Sequence, residues 1–303
     1  GDGEVLDPPP FEFPLEQNNA LAVVDGQAVL VGNVCRTRLQ DSIGQCEPGD
    51  LAAASYSLLS GGWQELELPT ELEDATNGIA SLVGTTTDGR VVLDLGPQGF
   101  REVEGSPYWA LDPTTGVWTQ VPSSGVRVEE ECIAGDELVV LTGSRANAGT
   151  VVASPMEESY SGVLVDPELR VLDLESTGPQ WEATDPARGA AYVDWELACG
   201  GDFALLHDGI GQLARVSSLG EGSGWMTVPE VPERGNYSVA IWTGDLLLLI
   251  TRDGIGYGFD ATSDTWEQVE APLSDEKAVW TGADLVALSP ATESGIAVIE
   301  VSE

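Results

Sequence analysis

The side chains best suited to bind an anion in this chain are four arginines. They are Arg36, Arg38, Arg101 and Arg145. They lie in residues 32–50, 96–107 and 143–160, although the chain has 51 acidic residues against 12 basic ones. A guanidinium group binds carboxylates through two parallel hydrogen bonds. We therefore predict an anion-recognising patch for an acidic glycan or for the carboxylates of a partner protein. The alternative is that each arginine pairs with an acidic neighbour in its own segment.

The spacing of the four cysteines predicts two disulfides. Cys35 and Cys46 flank a short polar segment that suits a small closed loop. Cys132 and Cys199 each precede a Gly-Asp pair, and we predict a second bridge between them. A zinc site is poorly supported because no C-x-x-C pair occurs and the chain has one His. Disulfides indicate an oxidising compartment; buried free thiols are the alternative.

No residue is predicted to be catalytic. His207 lies in "LLHDGIG", which favours an exposed turn. Neither a G-x-S-x-G elbow nor an H-E-x-x-H motif occurs. The acidic runs at residues 129–131 and 157–158 are typical of solvated surfaces or of clusters that attract calcium. Calcium is thus the one cofactor left open, and no metal ligand is assigned.

The charge of the chain restricts its partners and its surroundings. The formal net charge is −39, and only Lys277 is a lysine. Such a surface repels nucleic acid and anionic membranes, so neither is expected as a partner. An acidic, lysine-poor surface favours adaptation to salty water, with general solubility as the alternative. The longest apolar run, "LLLLI", is too short to span a membrane, so no transmembrane segment is predicted.

Short strands in a repeating order are predicted to carry these residues. Residues 239–272 divide into four β-rich runs separated by turns, which predicts one four-stranded meander. The first-hairpin turns recur at residues 25–26, 88–89, 135–136, 201–202, 244–245 and 282–283. A closing strand with a Trp followed by a Pro occurs only five times, at Trp63, Trp118, Trp181, Trp225 and Trp266. The C-terminal repeat therefore lacks its fourth strand.

This pattern predicts an all-β fold, a six-bladed β-propeller in one domain spanning residues 1–303. The predicted units are residues 19–69, 78–122, 129–186, 190–232, 236–272, and 276–303 completed by 4–15. The N-terminal strand would close the ring by completing the C-terminal blade. A β-sandwich is the competing fold, but it does not explain six matching hairpins and a displaced strand. The three arginine-bearing segments would be long loops on one face of the disc.

The segments "YWALDPTTGVW" and "YGFDATSDTW" resemble the kelch-type β-propeller, also seen as the central domain of galactose oxidase-like proteins. Tyr108, Asp112 and Trp118 carry the resemblance in one repeat, and Tyr257, Asp260 and Trp266 carry it in another. The resemblance implies a bacterial, secreted propeller in which the closing Trp packs between blades. The copper chemistry of galactose oxidase is not expected, because its site needs several His residues.

The sequence therefore favours an extracellular, periplasmic or cell-surface module that binds a protein or an acidic glycan and has no catalysis of its own. The alternative is a glycan-active enzyme similar to sialidase, lyase or sialic-acid-epimerase propellers, acting on an acidic sugar. The enzyme would need arginines and carboxylates that converge at one mouth of the channel, whereas a binder would show a broad loop surface.

Overall fold

The structure is a computed structural model, and the part of the chain that it describes is mainly β-strand. It describes residues 4–5, 9–11, 19–38, 46–73, 78–97, 108–146, 163–176, 180–184, 191–193, 195–208, 214–219, 225–232, 237–251, 255–270, 277–280, 284–288 and 296–300. One short helix, α1 (Thr70–Glu73), lies among these residues. The chain divides into two compact units, Gly1–Gly125 with Glu276–Glu303, and Val126–Asp275.

The strands are numbered in chain order. They are β1 (Glu4–Val5), β2 (Ala20–Val24), β3 (Gln27–Arg38), β4 (Cys46–Ser57), β5 (Trp63–Leu66), β6 (Gly78–Thr85), β7 (Val91–Pro97), β8 (Tyr108–Asp112), β9 (Val117–Val121), β10 (Glu130–Ala134), β11 (Glu137–Ala146), β12 (Val163–Asp173), β13 (Glu182–Ala183), β14 (Ala191–Val193), β15 (Trp195–Cys199), β16 (Phe203–Asp208), β17 (Ala214–Ser218), β18 (Trp225–Thr227), β19 (Tyr237–Trp242), β20 (Leu247–Thr251), β21 (Ile255–Asp260), β22 (Thr265–Glu270), β23 (Lys277–Trp280), β24 (Asp284–Leu288) and β25 (Ile296–Glu300).

Each unit contains three antiparallel sheets. In the first unit, the first sheet is β2-β3-β4-β5 and the second is β6-β7-β8-β9; the C-terminal sheet is β23-β24-β25-β1. In the second unit, the third sheet is β10-β11-β12-β13, the fourth is β15-β16-β17-β18 and the fifth is β19-β20-β21-β22. Four of these are plain four-stranded meanders. The third sheet carries β14 as an additional strand beside β12, and the C-terminal sheet takes its last strand from the N-terminus.

Each sheet falls within one of the repeat units predicted from the sequence, except for β14. That strand lies in the predicted fourth unit, but it pairs with β12 of the third sheet. The long loops predicted at residues 32–50 and 143–160 are partly strand, because β3, β4 and β11 continue into them. Whether the chain forms a single domain stays a prediction.

The hairpin turns follow from residues that tolerate a left-handed backbone. Val24 pairs with Gln27, and the two residues between them, Asp25 and Gly26, have φ of 49° and 73°. Positive φ at both central positions is typical of the hairpin turns that match strand twist. Gly135 (φ 58°) serves the same purpose in the third sheet. A Cβ at this position would lie 2.9 Å from the carbonyl oxygen of Gly201, so neighbouring turns are closely packed.

The cores form where the sheets of a unit face one another. In the first unit, one cluster joins Ala22 and Val24 of β2 to Leu93 of β7 and Leu111 of β8. In the second unit, one cluster joins the third and fourth sheets and another joins the fourth and fifth. Because successive strand residues point to opposite faces, the inner strands are buried on both sides. All five residues of β2 are buried for this reason.

Two of the closing tryptophans connect neighbouring sheets by an equivalent hydrogen bond. The indole Nε1 of Trp118 donates to the carbonyl of Glu67 at 2.9 Å, and that of Trp266 donates to the carbonyl of Pro229 at 2.9 Å. In each case the acceptor lies four residues after the closing Trp of the preceding sheet. Those tryptophans are Trp63 and Trp225. The Trp is thus explained as a link between sheets at Trp118 and Trp266, whereas the buried Nε1 atom of Trp225 makes no such hydrogen bond.

The aspartates that precede these tryptophans stabilise turns. Asp112 accepts hydrogen bonds from the Thr115 hydroxyl at 2.7 Å and from the Thr114 backbone N–H at 2.9 Å. Asp260 accepts from the Ser263 hydroxyl at 2.8 Å in the equivalent turn. The Thr115 hydroxyl is the main reason that the pKa of Asp112 is lowered, and the Ser263 hydroxyl lowers the pKa of Asp260 in the same way. The Asp and the Trp of the Tyr-Asp-Trp pattern are therefore accounted for structurally.

Candidate functional site

In each unit, the candidate residues lie at the end of the sheets where the second strand of a sheet leads to the third. We call this the loop-side end. Two hairpins extend beyond it. In the first sheet, β3 and β4 stay paired as far as Arg38 opposite Cys46. We call residues 35–38 and 46–48 the first arm.

The second arm belongs to the third sheet and has three strands. Arg145 of β11 lies opposite Leu164 of β12, and Leu164 also pairs with Tyr192 of β14. The second arm consists of residues 144–146, 163–165 and 191–193. Both arms consist of paired antiparallel strands, so they have a regular backbone and are not irregular loops.

The arginines of the predicted anion patch are divided between these arms. Arg36 and Arg38 lie on β3 in the first arm, which belongs to the first unit. Arg145 lies in the second arm, which belongs to the second unit. Arg101 lies outside the described residues, as do three acidic neighbours that could pair locally, Asp41, Glu102 and Glu157. The anion patch stays a prediction.

The predicted Cys132–Cys199 disulfide is confirmed. It joins β10 to β15, the first strands of the third and fourth sheets, with a Cα–Cα distance of 5.7 Å. This distance is normal for a disulfide. The bridge therefore fixes two neighbouring first strands of the second unit relative to each other.

The predicted Cys35–Cys46 disulfide is not formed in the structure. Cys35 is a free cysteine that is half-buried. It lies opposite Pro48, whereas Cys46 lies opposite Arg38, three residues farther along β3. Strand residues rise about 3.3 Å each, so this offset exceeds the Cα separation that a disulfide tolerates. The sequence spacing suited a loop, but the segment begins and ends as paired strand.

Two glutamates occupy equivalent places above the confirmed bridge. Glu129 precedes Cys132 by three residues, and Glu196 precedes Cys199 by three residues. Both lie at the loop-side end of their sheets. Glu129 has a side chain only 1% exposed and forms an ion pair with Arg127 at 3.3 Å. A repeated E-x-x-C pattern is therefore readable in the sequence, although the sequence analysis named Glu129 only as part of an acidic run and did not name Glu196.

His207 is completely buried, so its prediction as an exposed turn residue was wrong. It lies within β16 and pairs with Glu196 of β15 and with Ala214 of β17. Its Nε2 atom is 3.7 Å from a carboxylate oxygen of Glu196. The strand continues to Asp208, which places His207 on the same face as Phe203 and Leu205.

Other buried polar residues also lie at the loop-side ends. Asn19 is buried just before β2, and a Cβ at Gly32 would overlap its side chain, so Gly32 makes room for it. Thr251 is buried at the end of β20 in the fifth sheet. Burying polar groups is costly unless they are hydrogen-bonded, and the Thr251 hydroxyl accepts a hydrogen bond from the Ile255 backbone N–H at 3.1 Å.

At the opposite end of the third sheet, Glu137 is an acidic residue with a raised pKa. Glu137 lies opposite Asp173, at the turn end of the third sheet. Burial raises the pKa of Glu137, and the charges of Asp173 and Glu182 raise it further.

Within the described residues, no group of three or more His, Cys, Asp or Glu side chains is arranged to hold a metal ion. In the same part of the chain, no helix is long and apolar enough to cross a membrane.

Comparison with known proteins supports the fold. A solved structure described as "Structure of YjhT" is similar over 98% of this chain and 96% of its own, with 11% identity and a TM-score of 0.51. A chain of "Crystal Structure of Mitotic Checkpoint Complex" is similar over 100% of this chain and 92% of its own, with 12% identity and a TM-score of 0.48. Neither a protein-family model nor a curated protein matches the chain. The first similarity and the sheet topology together support an all-β propeller.

Proposed function

We propose that the protein is an extracellular or periplasmic module that binds protein or glycan ligands and has no catalysis of its own. The observation that carries the proposal is the pair of arms. In the first sheet, β3 and β4 stay paired beyond the ends of the other strands, and β11 and β12 do so in the third sheet. In the fifth sheet, by contrast, only three residues separate β20 from β21. Projecting segments held by a rigid scaffold are typical binding elements.

We also propose that the six sheets are the blades of one kelch-type ring. The pairing of β1 with β25, through Glu4 opposite Val298 and Val5 opposite Ala297, supports closure by the N-terminal strand. The repeated Trp-to-carbonyl hydrogen bond supports a common blade design.

The proposed location rests on the Cys132–Cys199 disulfide, because disulfides persist mainly in oxidising compartments. The net charge of −39 supports adaptation to a salty medium.

The test is a binding measurement with shortened arms. In one variant, the Arg-Asp-Gly sequence of residues 252–254, which joins β20 to β21, would replace residues 34–49. A matched variant, Arg36→Ala with Arg38→Ala, would keep the arm and remove only its charges. Wild type and variants would be applied to an array of acidic and neutral glycans. We expect wild type to bind and the shortened variant to lose binding. Unchanged binding by the shortened variant would show that the first arm is not the binding element.

The Glu196–His207 contact favours one alternative, a glycan-active enzyme that acts on an acidic sugar. A carboxylate next to an imidazole can transfer protons to or from a substrate. NMR of a sialylated oligosaccharide incubated with the protein would detect turnover. New anomeric signals with wild type, and their loss in Glu196→Gln, would favour the enzyme over the binding module.

A further inference from the structure

The first arm carries two cysteines that the register of its strands keeps apart. Cys35 lies on β3 opposite Pro48, and Cys46 lies on β4 opposite Arg38. We propose that these cysteines form a redox switch, in which the dithiol form builds the first arm and a Cys35–Cys46 disulfide dismantles it. This inference rests on the proposed function, because it names the regulation of an arm that carries that function.

Both cysteines of the first arm are left without a disulfide partner within the chain. Cys35 is a free cysteine whose side chain is half-buried, so a small reagent can reach it. The chain has four cysteines, and Cys132 is bridged to Cys199. No cysteine is therefore left in the chain to pair with Cys46. The protein thus combines one closed disulfide with two thiols on the paired strands of one hairpin.

A bridge between these two thiols is incompatible with the ladder of the first arm. Three residues of β3 separate Cys35 from the position opposite Cys46. At about 3.3 Å for each strand residue and about 4.8 Å between strands, the two Cα atoms are on the order of 11 Å apart. Cysteines whose Cα atoms are more than about 7 Å apart cannot be bridged unless the backbone moves. The paired arm and the bridge therefore exclude each other.

The ladder is irregular at Cys35, which keeps the rearrangement local. The register shifts between Asn33 and Cys35, and it shifts again between Cys35 and Thr37. Three register pairs hold the arm beyond Asn33. The pairs from Asn33 inward are regular and belong to the buried part of the first sheet, where Leu30 and Ala54 are almost inaccessible to solvent. Bridge formation thus requires the loss of three pairs and leaves the sheet intact.

The bridge forms by thiol–disulfide exchange, with a small-molecule disulfide as the oxidant. One arm thiolate attacks the small disulfide, so that a mixed disulfide forms and one small thiol leaves. The second arm thiolate attacks the protein sulfur of the mixed disulfide, which forms the Cys35–Cys46 bond and releases the second small thiol. The protein loses two electrons and two protons, and the small disulfide gains them. The ten residues between the cysteines form the loop that the bridge closes.

The switch acts on the element that the proposed function uses. Arg36 and Arg38 lie on β3 between the two cysteines in sequence. In the dithiol form their backbone belongs to a paired ladder, which holds it in a regular conformation. In the disulfide form this ladder is lost, so the arm no longer presents its charges from a fixed backbone. Oxidation is therefore expected to withdraw the first arm as a binding element.

The test compares the two redox forms of the full chain by alkylation, mass spectrometry and hydrogen exchange. Reduced glutathione prepares the dithiol form and oxidised glutathione prepares the disulfide form, and mass spectrometry verifies that the Cys132–Cys199 bridge persists in both. We expect oxidation to protect Cys35 and Cys46 from alkylation. Amides of residues 35–38 and 46–47 should exchange about tenfold faster or more in the disulfide form. Amides of residues 28–31 and 53–56, on the same strands, should not change.

The matched control is Cys35→Ser, which retains the hairpin and cannot form the bridge. Its amides at residues 36–38 and 46–47 should exchange equally fast after either glutathione treatment, at the rate of the wild-type dithiol form. Cys46→Ser should behave in the same way. A change of exchange rate in either variant would show that oxidation acts on the arm without the bridge, and the switch would be overturned.

Three further results would also overturn the switch. Cys35 could remain open to alkylation after oxidation, it could carry a glutathione adduct that never resolves into the bridge, or the bridge could form while exchange in the arm stays slow. The proposed function is judged separately on the glycan array. If oxidation opens the arm but both forms bind the same glycans, the switch is supported and the first arm is not the binding element. If neither form binds a glycan, faster exchange still supports the switch, and the glycan part of the proposed function fails.

Discussion

Removal of the Cys132–Cys199 bridge is the change whose effect on stability can be worked out most directly. The cysteines are 67 residues apart in sequence, and the bridge restricts the unfolded chain by closing that loop. The loop-entropy relation gives about 4 kcal/mol for a loop of this length. That free energy corresponds to about a thousandfold change in the folding equilibrium constant. We therefore expect the double variant Cys132→Ala, Cys199→Ala to unfold at a distinctly lower urea concentration than wild type.

The measurement is urea unfolding followed by tryptophan fluorescence, with and without a reducing agent. The reducing agent should lower the midpoint of wild type and leave the double variant unchanged. Each single alanine variant should lose about as much as the double variant, because either change opens the same loop.

Cys35→Ser is the matched control. Because Cys35 is a free cysteine in the structure, its replacement should leave the midpoint within experimental error. Alkylation before reduction should label Cys35 and spare Cys132 and Cys199. If Cys35→Ser lowers the urea midpoint as much as the double variant does, the assignment of Cys35 as a free thiol is refuted. That result would support the Cys35–Cys46 disulfide predicted from the sequence spacing instead.

Four further changes have outcomes that follow from the structure. Gly135→Ala should lower the free energy of unfolding by about 2 kcal/mol or more, because position 135 has a left-handed backbone and a new Cβ would lie close to a carbonyl oxygen. Gly116 has a similar φ of 70° but open space around it, so Gly116→Ala should cost about 1 kcal/mol. The urea midpoints of the two variants distinguish these costs. Trp266→Phe removes an indole donor between sheets and should lower the unfolding free energy by about 1 kcal/mol in the same assay. The raised pKa of Glu137 means that its ionised form destabilises the fold, so Glu137→Gln should raise the urea midpoint above that of wild type at neutral pH. This gain should disappear as the pH falls below the ordinary pKa of 4.5, because the carboxyl is then protonated in both the folded and the unfolded chain. A difference in midpoint between variant and wild type that does not change with pH would contradict this. Raising NaCl from about 0.1 to about 1 M shortens the screening length from about 10 to about 3 Å and should raise the midpoint of wild type, whereas an unchanged midpoint would argue against strong self-repulsion.

The local architecture was largely predictable because its signals are local. Asp-Gly and Gly-Asp pairs between apolar runs require turns, and the structure has hairpins at Asp25–Gly26 and Gly135–Asp136. The closing tryptophans at regular positions indicated repeated sheets. The partner of the indole N–H was not predictable, because the carbonyls of Glu67 and Pro229 are 51 and 37 residues away from their donors.

The site was predicted less well because it depends on which faces of the sheets meet. "LLHDGIG" has the composition of a turn, but β16 extends through His207, and the alternation of strand residues places the imidazole in the interior. Its contact with Glu196 depends on the register between β15 and β16. The sequence contained the two E-x-x-C segments, but nothing local indicated that one glutamate is buried beside Arg127 and the other faces solvent.

The two cysteine pairs show which features follow from local sequence and which depend on contacts between distant segments. Composition, turn residues and the tryptophan repeat determined an acidic, all-β chain of successive hairpins, because each of these features acts within a few residues. The pairing of Cys132 with Cys199 and the separation of Cys35 from Cys46 were decided by the contact of β10 with β15 and by the register of β3 against β4. A disulfide depends on a Cα separation of a few ångströms in the folded chain, and spacing along the sequence does not set that separation.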